Sequence, residues 1–373
     1  MPIATRTLLL KDMPPDLLAR WHALAENSIE ANLYLCPQFV LPAARWLTPE
    51  APPEILIAES LRGEEPELLG LMLLATNQRS RAMPLRHFRS YRTLHTFTDG
   101  LLVSPSAPEA TVEAIFDHLT RMRPIRHAVN FLLVRRDRPV FELLEQVARR
   151  RQLRWFGMSE FERSVANLTP ATELKVKRSV RKEIDRTWRR LNEQGRARHR
   201  VEHGANMDPG CIERHLELEN MGWKGTMGTS MLSRPHEAAF FREMSSNLLQ
   251  EERAVFSEIA LDEDTIASTS NFISGSELFA FKVGWNPEYA RFGPGLINEL
   301  KLAEELVAGS LRLSDYDTGT AGPSYVDRVL PDRTRITSGY FPLTPLGRHW
   351  LSLVARASPL REKLKRLIAR RRS

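Results

Sequence analysis

The stretch from Glu277 to Asp317 reads ELFAFKVGWNPEYARFGPGLINELKLAEELVAGSLRLSDYD, and the order of its elements decides the fold. Glu277 to Trp285 predicts a strand and Asn286 to Gly293 a loop. Residues 295–308 predict a helix ended by Gly309, and Leu311 to Ser314 a second strand. Between strand and helix lies Arg291-Phe292-Gly293-Pro294-Gly295. A helix N-terminus exposes unpaired backbone N–H groups and the positive end of the helix dipole, which makes it an anion site. Gly293 and Gly295 let a phosphate approach the backbone, and Pro294, having no N–H, costs nothing at a helix start. The plain alternative is a helix start with turn glycines.

Upstream, Ala254–Leu261 and Ile266–Ile273 predict two strands that form antiparallel pairs with the one at 277–285, joined by Asp262-Glu263-Asp264 and Ser274-Gly275-Ser276. Residues 209–221 and 235–251 predict helices around a glycine-rich loop, Gly222 to Gly228. A long charged helix is expected over 171–194, with Val180, Ile184, Trp188 and Leu191 as its apolar stripe and Gly195 as its C-cap. The earlier part of the chain is mixed α/β. It predicts helices over 12–30, 108–123 and 139–151, a hairpin of 55–60 with 68–75 turned by Arg62 to Glu65, and a strand at Ala128 to Val134. The expected division is a first lobe over 1–165, a second over 166–345, and a tail over 346–373.

Composition narrows the function classes. With 42% hydrophobic and 27% charged residues in 373, both halves can bury a core. No apolar run approaches the roughly 20 residues of a membrane-spanning helix, and no secretory leader is read at the N-terminus, so the expected compartment is the cytoplasm. Cys36 and Cys211 lie far apart with no metal-ligand spacing, so neither a disulfide nor a metal site is expected. Net charge is +7, but from Arg361 onward seven cations face only Glu362. That segment carries +6 and leaves +1 for the rest, which argues against a nucleic-acid partner for the folded body. Leu360, Leu364, Leu367 and Ile368 share one helical face among those cations, with Trp350, Leu351 and Leu353 just upstream, a pattern suited to an anionic membrane surface.

Strand hairpin, strand, glycine loop, helix, strand is the order of the acyl-CoA-binding core of the GNAT superfamily. The motifs Glu219-x-x-Gly222-Trp223-Lys224-Gly225, Phe281-Lys282-Val283-Gly284-Trp285, Tyr289, Pro294-Gly295 and Asp315-x-Asp317-x-Gly319 resemble the acetyltransferases associated with cellulose and exopolysaccharide biosynthesis. Bacterial ceramide synthases are similar to the same family, and Fem-type aminoacyltransferases are more distant. The resemblance is dense over 175–330 and looser before 165. It implies an α/β (α+β) fold of two GNAT-like lobes, each a mixed, mostly antiparallel sheet flanked by helices. The chain departs from the family at Val326, where a Lys usually follows the Tyr, and in the wording of its glycine loop.

Acyl transfer to an amine needs a proton acceptor and donors to the carbonyl oxygen. Glu219, Asp315 and Asp317 are the candidate bases, and His215 lies one helical turn before Glu219. Glu219 could equally be an ion-pair partner of Lys224, Asp317 a turn cap, and Lys282 a solvated side chain opposite Phe279, Phe281 and Val283. The resemblance assigns Arg291, Gly293, Pro294, Gly295 and Lys282 to the donor, and Trp223, Lys224, Trp285, Tyr289 and Tyr325 to substrate. The expected activity is acyl-CoA-dependent N-acylation, without a metal, of a lipid amine or lipid-linked amino sugar at the inner membrane surface. Fem-like transfer from aminoacyl-tRNA and an inactive scaffold are the alternatives.

Overall fold

The computed structural model describes residues 2–61, 66–75, 83–169 and 174–370, with side chains for all of these except Trp223 and 358–370. The elements, in chain order, are β1 (Ile3–Leu9), α1 (Pro15–Glu26), α2 (Pro37–Trp46), β2 (Glu54–Ser60), β3 (Leu68–Ala75), β4 (Phe88–Ser90), β5 (Leu102–Val103), α3 (Pro108–Arg121), β6 (Ala128–Arg135), α4 (Pro139–Arg150) and β7 (Phe156–Asn167). There follow α5 (Arg178–Asn192), β8 (Ala197–His203), α6 (Cys211–Met221), α7 (Trp223–Thr226), α8 (Pro235–Gln250), β9 (Ala254–Leu261), β10 (Asp264–Ser274), β11 (Glu277–Trp285), α9 (Pro294–Val307), β12 (Asp315–Asp317), β13 (Asp332–Pro342) and α10 (Pro345–Arg370). Proline opens α1, α2, α3, α4, α8 and α9, where its fixed φ suits the first turn and its missing N–H is no loss.

The chain folds as two compact units that are not successive halves. Unit 1 takes the chain up to Glu30, Ala51–Glu160, and everything from Ile336. Its strands run in the order β1-β2-β3-β4-β6-β13, with β5 beside β3. Leu56, Met72, Val112, Phe116, Phe131 and Phe141 form part of its core. Unit 2 takes Ala31–Glu50 and Phe161–Arg335, with strands in the order β7-β12-β11-β10-β9-β8. The division expected at 165 and 345 is therefore drawn differently. Residues 31–50 join unit 2, and the segment read as a free tail is the continuation of a unit 1 helix. Leu351 is fully buried beside Tyr340 and Phe156, and Trp350 packs against that cluster, so only Leu353 stays exposed of the three apolar residues expected to face a membrane. Among the described residues no helix is long and apolar enough to cross a membrane.

In unit 2 the sheet has two chemically different faces. One carries Val255, Ile259, Leu261 and Leu278 against Ile297, Leu300 and Leu306 of α9 and Ile184 and Leu191 of α5. The other is aromatic: Phe240 and Phe241 of α8 meet Phe256, Phe272 and Phe281 at centroid separations of 5.9–6.5 Å. The stripe read on α5 packs as expected, but the helix starts at Arg178 rather than 171, and residues 170–173 lie outside the described chain. Gly195 is not its cap. The helix is closed at Glu193, and Gly195 instead lets the chain pass Asp262, whose Oδ2 would lie 2.3 Å from a Cβ there. The glycine-rich loop contains α7, and the strand expected at 311–314 forms at Asp315–Asp317. The turn at 62–65 lies outside the described residues.

Gly284 explains part of the motif around Trp285. A Cβ at this position would come within 2.4 Å of the Glu219 backbone nitrogen, so only glycine lets the end of α6 rest on β11. Gly222, at φ −82°, has nothing within 4 Å of a Cβ. Gly284→Ala is expected to cost about 1–3 kcal/mol by overpacking, and Gly222→Ala less than about 0.5 kcal/mol. Thermal unfolding of the two variants checks the difference.

Candidate active site

β11 and β12 run parallel but pair only as Glu277–Asp315, Leu278–Tyr316 and Phe279–Asp317. β11 then continues to Trp285 with no ladder partner on that side. A short 3-10 turn, Pro287–Phe292, leads to Gly293, whose φ of +58° is left-handed, and α9 starts at once with Pro294. No side chain caps this start, and its first turn holds no acidic residue. A cleft of about 370 Å³ opens here, lined by Trp285, Gly293, Pro294, Gly295, Leu296, Tyr325 and Arg328. The arrangement can take an anion on the helix start and an apolar chain beside it.

Unit 1 shows what a closed version of this start looks like. α4 also begins with proline, but the Val140 N–H donates to Glu30 Oε2 at 2.9 Å, while Glu30 Oε1 accepts from Arg135 Nε at 2.9 Å. All of these groups are buried. The helix start that could hold an anion is filled by the chain's own carboxylate.

On the aromatic face of the unit 2 sheet lies a polar cluster. Glu219 of α6 is buried, accepts from Lys224 Nζ at 3.0 Å, and accepts from the Met231 N–H at 2.8 Å. Strict alternation would leave Lys282 solvated, the plain alternative to its expected place at the donor. A register shift of β11 against β10 at Phe281 breaks that alternation and turns Lys282 to the same face. Its ammonium sits 5.5 Å from the Phe281 ring. Burial and the nearby Lys224 pull its pKa down to about 8, opposed by Glu219 and Glu237. Trp285 and Val283, with Glu219, Lys224, Gly222 and Gly284, line a small pocket of about 20 Å³.

His215 is fully buried, with Nδ1 3.0 Å from Ser268 Oγ and Nε2 3.2 Å from Ser270 Oγ, and it stacks on Phe241 at 5.4 Å. Burial lowers its pKa to about 3, so it is neutral and holds strand β10 rather than Glu219. Asp317 is buried against Arg163 at 3.3 Å and accepts from the Gly319 N–H at 2.8 Å, the turn-cap geometry. Asp315 is half-buried at the start of β12. Arg291 is exposed over the Phe292 ring and donates to Gln194 Oε1 at 3.3 Å. Tyr289 packs against the core below the loop, and Val326 is buried in that core, where a lysine ammonium would have no water. Trp223 has no described side chain. The structure thus gathers Gly293, Pro294, Gly295, Trp285 and Tyr325 at one cleft, and Glu219, Lys224 and Lys282 around another that shares Trp285.

One group escaped the sequence reading. Glu299, on α9, is buried with Oε2 2.8 Å from Tyr316 Oη, which lies 3.2 Å from Asn271 Oδ1. Tyr316 Oη donates to Glu299 Oε2, while the Asn271 amide nitrogen faces the Val255 and Thr269 carbonyls. Burial raises the pKa of Glu299 to about 7, against the tyrosine hydrogen bond, which lowers it. A glutamate in mid-helix gives no sequence signal of this.

Residues 178–325 match the family described as Acetyltransferase (GNAT) domain. Together with the strand, loop, helix and strand described above, this gives residues 178–325 the likeness of a GNAT acetyltransferase domain and the chain a GNAT-type transferase fold. Three solved structures share the fold over nearly their whole length. The structure of FemX is 11% identical, with a TM-score of 0.59 over 94% of this chain and 100% of that one. The C-terminal domain of a putative lysylphosphatidylglycerol synthetase from Agrobacterium fabrum is 12% identical, with a TM-score of 0.54 over 92% and 95%. A conserved protein of unknown function from Bacteroides thetaiotaomicron is 10% identical, with a TM-score of 0.53 over 89% and 99%. None of the curated proteins matches the chain in sequence. Among the described residues no group of three or more His, Cys, Asp or Glu side chains could hold a metal ion.

The two shifted groups oppose each other in acid stability. Glu299 keeps its proton when folded up to about pH 7 but loses it near 4.5 when unfolded, so its burial makes stability fall as pH rises through that window. His215 takes a proton below about 6.5 only when unfolded, so its burial makes stability rise from about pH 3 to 6.5. Glu299→Gln, which can still accept from Tyr316, removes the falling contribution and is expected to leave a net rise between pH 4.5 and 6.5. His215→Gln is expected to turn it into a fall. Melting temperature measured against pH reads both.

Proposed function

We propose that the protein is an acyl-CoA-dependent N-acyltransferase. The observation that carries this is the uncapped start of α9 beside a strand edge that β12 leaves unpaired. The pyrophosphate of the donor sits on the Gly293–Gly295 backbone, and its pantetheine runs along β11 beyond the last pair with β12. The acyl chain lies along the apolar wall of the cleft. The acceptor amine attacks the thioester carbonyl, its proton passes to Glu219, and the CoA thiolate leaves. Lys224 orients that carboxylate. With a pKa near 8, Lys282 is a cation in most copies at neutral pH and steadies the negative charge developing on the carbonyl oxygen. Asp317, paired with Arg163, takes no part.

The acceptor we favour is a lipid amine or a lipid-linked amino sugar, approached from the cytoplasmic face of the inner membrane with the basic end of α10 on anionic headgroups. The fold shared with a domain of a putative lysylphosphatidylglycerol synthetase supports a lipid acceptor. The fold shared with FemX supports a second reading, aminoacyl transfer from tRNA, which the +1 charge outside the last 13 residues disfavours.

Calorimetric titration with acetyl-CoA and palmitoyl-CoA tests the donor. Micromolar binding is expected, lost at least about tenfold in Gly295→Trp, whose indole would fill the cleft. The preferred chain length separates sugar acetylation from lipid acylation. Glu219→Gln is expected to lower kcat by about 10²-fold or more with donor affinity unchanged. Absence of binding to either donor by folded protein would sink the acyl-CoA reading.

A further inference from the structure

The run Arg149-Arg150-Arg151-Gln152-Leu153-Arg154-Trp155 closes α4 in unit 1 and has no part in the transfer chemistry. Its arginines divide into two sets. Arg150 pairs with Glu109 at 2.6 Å and with Glu113 at 3.4 Å, and Arg151 pairs with Asp117 at 2.6 Å, so both are committed to α3. Arg149 and Arg154 instead line a cleft of about 470 Å³, together with Arg136, Glu145, Leu153 and Trp155. Among the described residues no carboxylate pairs with Arg154, whose guanidinium lies 4.5 Å from the centre of the Phe156 ring. Arg136 is 3.3 Å from Glu160, and Arg149 is 3.9 Å from Glu145. Pairs as exposed as these contribute about 0–1 kcal/mol and give way to a stronger anion. Three guanidinium groups against one carboxylate leave the lining with a charge of +2.

We propose that this cleft binds a phosphate ester. A phosphomonoester carries close to two negative charges at neutral pH, matching the lining. Guanidinium forks pair phosphate oxygens two at a time, which lysines cannot do. Leu153 and the Trp155 ring supply an apolar wall for the organic part of the ligand, and Glu145 accepts from one of its hydroxyl groups. The volume falls within the roughly 300–1,000 Å³ usual for small-molecule sites. The arginines stand on or just beyond the ends of β6 and α4 and just before β7, and Trp155 is anchored against Phe141 and Phe341 at 5.2 and 4.9 Å, so the lining is held by the core. The ester is either a soluble sugar or nucleoside phosphate or the headgroup of a phospholipid.

Calorimetry of the full chain with adenosine monophosphate and with monomeric dihexanoyl phosphatidic acid tests the site. The comparison is between wild type, Arg149→Glu/Arg154→Glu, and Arg150→Glu on the neighbouring face. Binding weakened at least tenfold in the double variant and unchanged in Arg150→Glu is the expected result. Loss confined to adenosine monophosphate identifies a soluble ester, loss confined to the phosphatidic acid a lipid headgroup, and loss of both a site for phosphate esters at large. Any binding at the α9 cleft persists in all three proteins and is subtracted by the comparison. Should the double variant fail to unfold cooperatively, the exposed single change Arg154→Ala carries the test. No binding of either probe, equal binding in the double variant, or equal weakening in Arg150→Glu overturns the proposal.

Discussion

Three residue pairs hold β11 to β12, and beyond them the strands part. Such a parting exposes backbone polar groups unless something keeps it open and something fills it. In unit 2 the opening is maintained by polar pins rather than by apolar packing alone. Asn298 donates to the Ser257 carbonyl at 2.8 Å, Glu299 meets Tyr316 at 2.8 Å, and Glu305 meets His199 at 2.8 Å. These tie α9 to β9, β12 and β8 in turn, so the helix start is fixed over the gap. On the opposite face Gly284 lets α6 lie against β11 and brings Glu219 to the same strand that bears Lys282. Donor cleft and polar cluster are two sides of one strand.

Unit 1 uses the same local grammar with a different outcome. There α4 also begins at a proline after a strand, yet Glu30 and Arg135 occupy its start. A buried carboxylate already satisfied by a backbone N–H and a guanidinium leaves no room for a second anion. At these two helix starts the asymmetry of the units follows from this one side chain.

Much of the fold was legible because it rests on local signals. Pro294 marked the start of α9, the apolar stripe of α5 declared its buried face, and the three strands from Ala254 to Trp285 stood out by their short turns. The Gly293–Gly295 loop was legible for the same reason. What the sequence withheld depends on partners far along the chain or on register. A bulge at Phe281 moves Lys282 to the other face, and nothing in alternation reveals it. Asp317 is claimed by Arg163, 154 residues away. The pKa of Glu299 rises only because the packed fold buries it, a property of tertiary contacts and not of its helix. Residues 31–50 and β13 belong to units that their position in the sequence does not suggest.

Unit 1 is written in three separate pieces of chain, and this orders events during synthesis. β6 ends at Arg135, but its antiparallel partner β13 begins to pair at Ile336, after every residue of unit 2 has been made. At about 5–20 residues per second on the ribosome, those two hundred residues take on the order of 10–40 seconds. Unit 2 has all its strands and can close its core while the edge of β6 still waits. An open, largely apolar strand edge is a template for pairing with the wrong chain. The half of the molecule without the transfer site is therefore the half whose nascent form most needs shielding.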